Sequence, residues 1–166
     1  MKIGILSDIH ENFGNLNRAL EMCKALGVER LLCLGDLINP GVARVLAHCG
    51  LPCHLIWGNN DGDKVLITKL ALAADSQLTL SDRTYDFVEI DGRKIFMTHY
   101  DDLAQPMAHS GLYDVVLYGH NHQKFAGSAG NCLILNPGEL FGYLTGIASF
   151  AIYDTAAHTA EHHLVG

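Results

Sequence analysis

Residues 2–10 read KIGILSDIH, a short apolar run that stops at Asp8-Ile9-His10. The same design recurs along the chain. Arg30–Leu34 runs into Gly35-Asp36, Cys53–Trp57 into Gly58-Asn59, Arg93–Thr98 into His99, and Asp114–Tyr118 into Gly119-His120. Runs of about four to eight apolar residues bounded by Gly, Asp or Asn are the mark of buried strands. Each of these strands hands the chain to a polar side chain that could serve as a ligand.

Helical patterns lie between the early strands. Over 13–26, Phe13, Leu16, Leu20 and Cys23 recur at helical spacing before Gly27 stops the run. Asn39 can cap a second helix, with Pro40 at its first position, Val42, Val45 and Leu46 on its apolar face and Gly50 after its end. A third is predicted over 64–74. Strand, helix, strand, helix, strand implies a parallel sheet with right-handed crossovers, and such sheets collect ligands at the carboxyl ends of their strands. Farther on, 85–90 and 93–98 flank Asp91-Gly92, a two-residue hairpin signal, and 131–135, 147–153 and 158–164 read as further strands. The strand content exceeds what one sheet holds and the helices are few, so two stacked sheets with helices outside is the expected architecture.

The 166 residues suit one domain. Eighteen acidic against eleven basic residues give a net charge of −7, and no Lys/Arg block could track a nucleic-acid backbone, so no long nucleic acid is expected as partner. A small anion is compatible with that charge, because bound divalent cations reverse the local field. Five cysteines without a CxxC pair predict free buried thiols rather than a disulfide framework. The start of the chain carries neither a long apolar segment nor a small-residue cleavage site, so no membrane span is expected and the cytoplasm is the expected compartment.

Taken singly, the polar residues have ordinary explanations. Asp8 and His10 fit a helix cap beside a solvated imidazole, and Asp36 and Asn59 fit turns that satisfy their own backbone. Gly119-His120-Asn121-His122 is harder to explain that way, since two imidazoles beside a glycine at a strand end are poor core and poor surface. The coincidence of five strand ends favours one shared site. Mixed imidazole, carboxylate and amide ligands suit Mn²⁺, Fe²⁺, Zn²⁺, Co²⁺ or Ni²⁺. Asp8, His10, Asp36, Asn59, His99, His120 and His122 are too many for one small ion and suit two, with one carboxylate bridging.

These motifs, together with Gly58-Asn59-Asn60-Asp61, Thr98-His99 and Asn136-Pro137-Gly138, resemble in order and spacing those of the calcineurin-like metallophosphoesterases, in their short single-domain prokaryotic phosphodiesterase branch. The resemblance runs along most of the chain. It implies a four-layer α/β/β/α sandwich of two mixed sheets. It also implies Asp8, His10 and His122 on one divalent ion, Asn59, His99 and His120 on the other, and Asp36 bridging. Manganese is the first choice of metal, and in-line attack of a metal-bridging hydroxide on a small phosphodiester is the implied reaction.

Asn60 stands where many members carry a histidine that contacts phosphate and protonates the leaving group. An amide cannot supply that proton but can donate a hydrogen bond, so diesters and good leaving groups are expected to be preferred over alkyl monoesters. Asp36, Asn60 and Asp61 form the expected catalytic set, with Asp61 orienting a site histidine or Asn60. Tyr100-Asp101-Asp102 replaces a glycine-rich continuation after His99. Tyr100 is read either as a pocket wall or as a half-buried loop aromatic, and Asp101 or Asp102 as the cap of a helix starting near Leu103. Glu11 has no assigned role, and His48, His54, His109, His158, His162 and His163 are expected to lie outside the site. A eukaryotic trafficking subunit with this fold makes a catalytically weak interaction scaffold the alternative. Homo-oligomerisation is left open.

Overall fold

In the computed structural model, which describes residues 1–166, the strand patterns become two sheets stacked face to face. The first contains β1 (Lys2–Leu6), β2 (Arg30–Cys33), β3 (Cys53–Leu55), β4 (Leu78–Leu80), β10 (Ser149–Asp154) and β11 (Thr159–Leu164), in the order β11-β10-β1-β2-β3-β4. The second contains β5 (Tyr85–Ile90), β6 (Arg93–Thr98), β7 (Val115–Leu117), β8 (Lys124–Ala129) and β9 (Cys132–Pro137), in the order β5-β6-β7-β9-β8. Both are mixed: β1 to β4 run parallel, as do β6, β7 and β9, while β10, β11, β5 and β8 run antiparallel to their neighbours.

Alternation along the strands builds the layers. Ile3, Ile5, Leu32 and Leu34 point between the sheets, where they meet Ile95, Met97, Val115 and Leu117. The intervening Leu6, Leu31 and Cys33 point outward, under α1 (Phe13–Ala25), α2 (Pro40–Ala47) and α3 (Lys64–Ala71). On the far side Phe96, Val116 and Ile134 pack against Ala104 and Ala108 of α4 (Ala104–His109), so the fourth layer is a single short helix. Three apolar interfaces between four layers give the expected α/β/β/α sandwich.

The cap expected of Asn39 forms, and Asn12 adds one that was not expected. Asn39 Oδ1 accepts from Gly41 N at 2.7 Å with Pro40 in the first turn, and Asn12 Oδ1 accepts from Asn15 N at 3.0 Å. The capping role expected of Asp101 or Asp102 is not seen. A 3₁₀ turn over Asp101–Leu103 leads into α4 without a side-chain cap, and Asp101 instead accepts from Asn121 Nδ2 at 3.2 Å. No helix is long and apolar enough to cross a membrane.

Candidate metal centre

Parallel registry of β1, β2 and β3, and of β6, β7 and β9, brings the carboxyl ends of all six strands to one edge of the sandwich. The two sheets are tied there by side chains. His99 Nδ1 lies 2.7 Å from the Leu34 carbonyl, and Asn136 Nδ2 donates to Gly119 O at 3.2 Å. Five of the seven expected ligand residues, Asp8, His10, Asp36, His120 and His122, have positive φ, between 42° and 69°. That region costs a residue with a Cβ about 1–2 kcal/mol, and strain of this kind gathers where side-chain direction matters more than backbone comfort. Two glycines make room for the cluster: a methyl on Gly58 would collide with Asp36 Oδ1, and one on Gly119 with Ser7 Oγ.

Two overlapping groups result. Ligand atoms of Asp8, His10 and His122 lie within 4.8 Å of one another, as do those of Asp8, Asp36 and His99. Asp8 is fully buried; its Oδ2 accepts from Ser7 Oγ at 2.6 Å and from His120 N at 3.1 Å. Its Oδ1 and His10 Nε2 are buried with no hydrogen-bond partner anywhere in the chain, and they face each other at 3.9 Å. Buried polar atoms without partners are costly and rare. A cation between them would satisfy both.

The second half shows the same want of positive charge. With its Nδ1–H given to the Leu34 carbonyl, a neutral His99 presents a lone pair at Nε2, and 2.8 Å away it meets Asn59 Oδ1, also an acceptor. Asp36 Oδ1 lies 3.6 Å from that same Nε2, while Asp36 Oδ2 lies 3.5 Å from His10 Nε2, so one carboxylate reaches a histidine of each half. Asn59 is exposed, and the His120 ring rests edge-on against His99 and Tyr100 with centroids 5.1 Å apart in each case. The half-buried Tyr100 thus lines the site.

Burial opposes ionisation of Asp8, but the neighbouring His10 and the Ser7 hydroxyl prevail and hold its carboxyl below the ordinary value. For His10, burial pulls the pKa down and the Asp8 and Asp36 carboxylates more than restore it, leaving it raised. The donor set therefore fits divalent metal: buried carboxylates with Asp8 held ionised, imidazole nitrogens aimed inward, and acceptors facing acceptors.

Three neighbours differ from their expected roles or were not anticipated. Asp61 orients neither a histidine nor Asn60; its buried carboxylate accepts from Leu37 N at 2.6 Å, Gly58 N at 2.6 Å and Asp36 N at 3.2 Å, pinning the loops that follow β2 and β3. Asn60 turns toward Asp36, donating from N to Oδ1 and from Nδ2 to Oδ2, both at 2.8 Å, which leaves one amide hydrogen for a substrate. Glu139, fully buried, receives His122 Nδ1 at 2.8 Å and both donors of Thr145, and these bonds hold its carboxyl below the usual range against the pull of burial. A carboxylate behind a histidine fixes the tautomer that exposes Nε2. The one sequence signal for Glu139 was its place directly after Asn136-Pro137-Gly138.

Glu11 accepts from Asn39 Nδ2 and so joins the loop after β1 to the start of α2. The remaining histidines stay out of the cluster. His48 pairs with Asp75, His54 with Asp86 and Thr79, and His158 with Tyr153.

A buried edge of carboxylates and imidazoles on an α/β/β/α sandwich is the arrangement of a metal-dependent phosphoesterase. The calcineurin-like phosphoesterase superfamily domain matches residues 1–158, and the chain belongs to that family. It is 35% identical over 157 residues to Phosphodiesterase MJ0936 of Methanocaldococcus jannaschii, covering 93% of each sequence. It is 28% identical over 147 residues to Phosphodiesterase YfcE of Escherichia coli, covering 84% of this chain and 79% of that one. A solved structure described as a novel archaeal phosphodiesterase superposes with a TM-score of 0.90 at 33% identity, over 99% of each chain.

Proposed function

We propose that the chain is a two-metal phosphodiesterase acting on small substrates, with Asp8, His10 and His122 holding one ion, Asn59, His99 and His120 the other, and Asp36 shared. The observation that carries this reading is the pair of partnerless buried atoms, Asp8 Oδ1 and His10 Nε2, at the point where the strand ends meet. Asp8 belongs to both groups of close ligand atoms. Asp36 is the better bridge, because its two oxygens point to histidines of different halves. Two divalent cations bound there would supply the positive field that activates water and neutralises charge on the phosphoryl oxygens.

The chain's own residues supply the geometry. Ser7 and the His120 backbone hold Asp8, Asn60 holds Asp36 at both oxygens, and Glu139 fixes His122. Asn60 keeps one N–H for a phosphoryl oxygen and has no proton to give a leaving group. Diester cleavage with a good leaving group needs no such proton, and the two relatives above bear the name phosphodiesterase. Mn²⁺ is the first candidate metal, with Ni²⁺, Zn²⁺, Fe²⁺ and Co²⁺ accommodated by the same donors. Five free, buried cysteines fit a reducing compartment such as the cytoplasm.

The test is metal content by elemental analysis together with turnover of bis(p-nitrophenyl) phosphate and p-nitrophenyl phosphate in each of the five metals. Near two ions per chain and a clear preference for the diester are expected. Loaded protein that turns over neither compound in any metal would overturn the reading in favour of an interaction scaffold.

A further inference from the structure

Beyond the ligands, the segment from Glu139 to Ser149 carries features that the metal chemistry does not use. Its root is held tightly. Leu140 N donates to Ser7 O at 3.0 Å and Phe141 N to Asp8 O at 2.9 Å, while Asn12 Nδ2 and Asn15 Nδ2 donate to the Phe141 carbonyl at 2.8 and 3.2 Å. Farther along, Thr145 is bound to Glu139, and Gly142, at φ 71°, lies so close to Ala148 that a methyl there would sit 2.8 Å from its Cβ. The loop is therefore anchored to the backbone of Asp8 and to the carboxylate behind His122.

Its tip is apolar and open. Tyr143 is 77% exposed, Leu144 67% and Ile147 44%. Single exposed apolar residues need no explanation, but a contiguous set beside a reactive centre does. The Phe141 ring lies 5.2 Å from the His10 ring, and the Tyr143 ring lies 5.5 Å from Phe141, so two ring-to-ring steps lead from the candidate metal centre to solvent. No Lys or Arg occurs between residues 138 and 150, and Lys124 packs beside Gly138 at the root of the segment. The tip itself offers a π face and aliphatic side chains without charge.

Building on the phosphodiesterase reading, we infer that Phe141 and Tyr143 form a stacking platform for an aromatic group carried on the substrate phosphate, which makes small nucleotide-type diesters the preferred substrate class over alkyl diesters. A phosphate held at the strand ends leaves a base, one sugar's length away, lying over the two rings. Offset or edge contacts of this kind tolerate any base, since each presents a π face.

The test is calorimetric and independent of turnover. Mn²⁺-loaded protein, with metal content measured first, is titrated with adenosine 5′-monophosphate and with methyl phosphate, and the ratio of the two affinities is the readout. Wild type is expected to favour the nucleotide about 5- to 150-fold, the span that base–aromatic stacking supplies. In Y143A the ratio should fall toward one, and in Y143F it should return. A ratio near one in loaded wild type, or an undiminished ratio in Y143A, overturns the platform while leaving the metal centre intact. Protein that takes up no metal and binds neither probe overturns both readings. An undiminished ratio together with self-association that Y143A abolishes would assign the tip to a second copy of the chain, and that too overturns the inference.

Discussion

Around Asp8, His10 and His122 two of the three candidate ligands are braced from behind, whereas around Asn59, His99 and His120 only the middle residue is. Glu139 backs His122, and Ser7 and the His120 amide back Asp8, beside the partnerless Asp8 Oδ1 and His10 Nε2. In the other half the Leu34 carbonyl fixes His99, but Asn59 is exposed and the His120 side chain is held by ring contacts alone. Preorganised ligands bind more tightly because less order is imposed on binding. The two halves should therefore take up metal with unequal affinity, the Asp8–His10–His122 side first, and each experiment below tries to erase or enlarge that inequality.

The largest effect is expected where the halves meet. Asp36→Asn removes the charge that faces both His10 and His99, keeps the side chain's size, and retains an acceptor for one of the two Asn60 donors. Turnover of an aryl diester should fall about 10²–10³-fold, the loss typical when one preorganised electrostatic group is deleted, with the circular dichroism spectrum unchanged. Near-normal turnover in D36N would remove Asp36 from the bridge. Next comes Glu139→Gln, which keeps an acceptor for Thr145 but discharges the group behind His122. Loss of such a partner weakens metal binding about 10- to 100-fold. A two-site Mn²⁺ titration should show the tighter site weakened and the other unmoved. Equal weakening of both would show that the halves are not separable.

Protons should discriminate between the halves in the same direction. Imidazole must be neutral to bind metal, and in the metal-free chain Asp8 and Asp36 raise the His10 pKa above its ordinary 6.5 despite burial. Protons therefore begin to compete at the first site above pH 6.5, at about tenfold in affinity per pH unit for each proton taken up. Asp8, whose pKa is lowered, stays ionised through that window. The sign for stability is opposite without metal: a raised histidine pKa stabilises the fold below about 6.5 and loses that contribution as pH rises through the raised value. Metal-free protein should thus melt higher at pH 6 than at pH 8, and Mn²⁺-loaded protein lower. Parallel trends in the two melting curves would contradict the assignment of His10.

What could be read from the chain follows the same division. Strand ends punctuated by Gly, Asp, Asn and His announced the cluster of candidate ligands, because alternation and turn chemistry are local and each motif fits within one strand and its exit. The first three helices and the Asp91-Gly92 hairpin were legible for the same reason, although α3 stops at Ala71, three residues early. β4 is only three residues long and β8, KFAGSA, lacks alternation and is mostly exposed, so neither carried a pattern. Glu139 and Asp61 were misjudged or missed because their partners are distant in sequence. His122 is 17 residues from one, and Asp36 and Leu37 are 25 and 24 residues from the other. The left-handed backbone of five candidate ligand residues was likewise invisible to propensity, which disfavours that conformation.

The smallest expected effect bears on the more open half, where Asn60 sits exposed beside Asn59. Asn60 is bound to Asp36 through both its backbone and side-chain nitrogens, so Asn60→His changes two things together. It keeps the backbone bond, gives up the side-chain bond to Oδ2, and places a titratable group near the leaving oxygen. A general acid in evolved geometry contributes about 10²–10⁴-fold, and a grafted one without supporting bonds should recover less than about tenfold, confined to poor leaving groups. The comparison to make is an alkyl against an aryl diester: N60H should raise the alkyl rate and leave the aryl rate flat or slightly lower, since aryl oxides depart without a proton. A parallel fall in both would mean that the amide's hold on Asp36 outweighs any proton it cannot give, and Asn60 would then be a positioning residue for the bridge rather than a substitute for a missing acid.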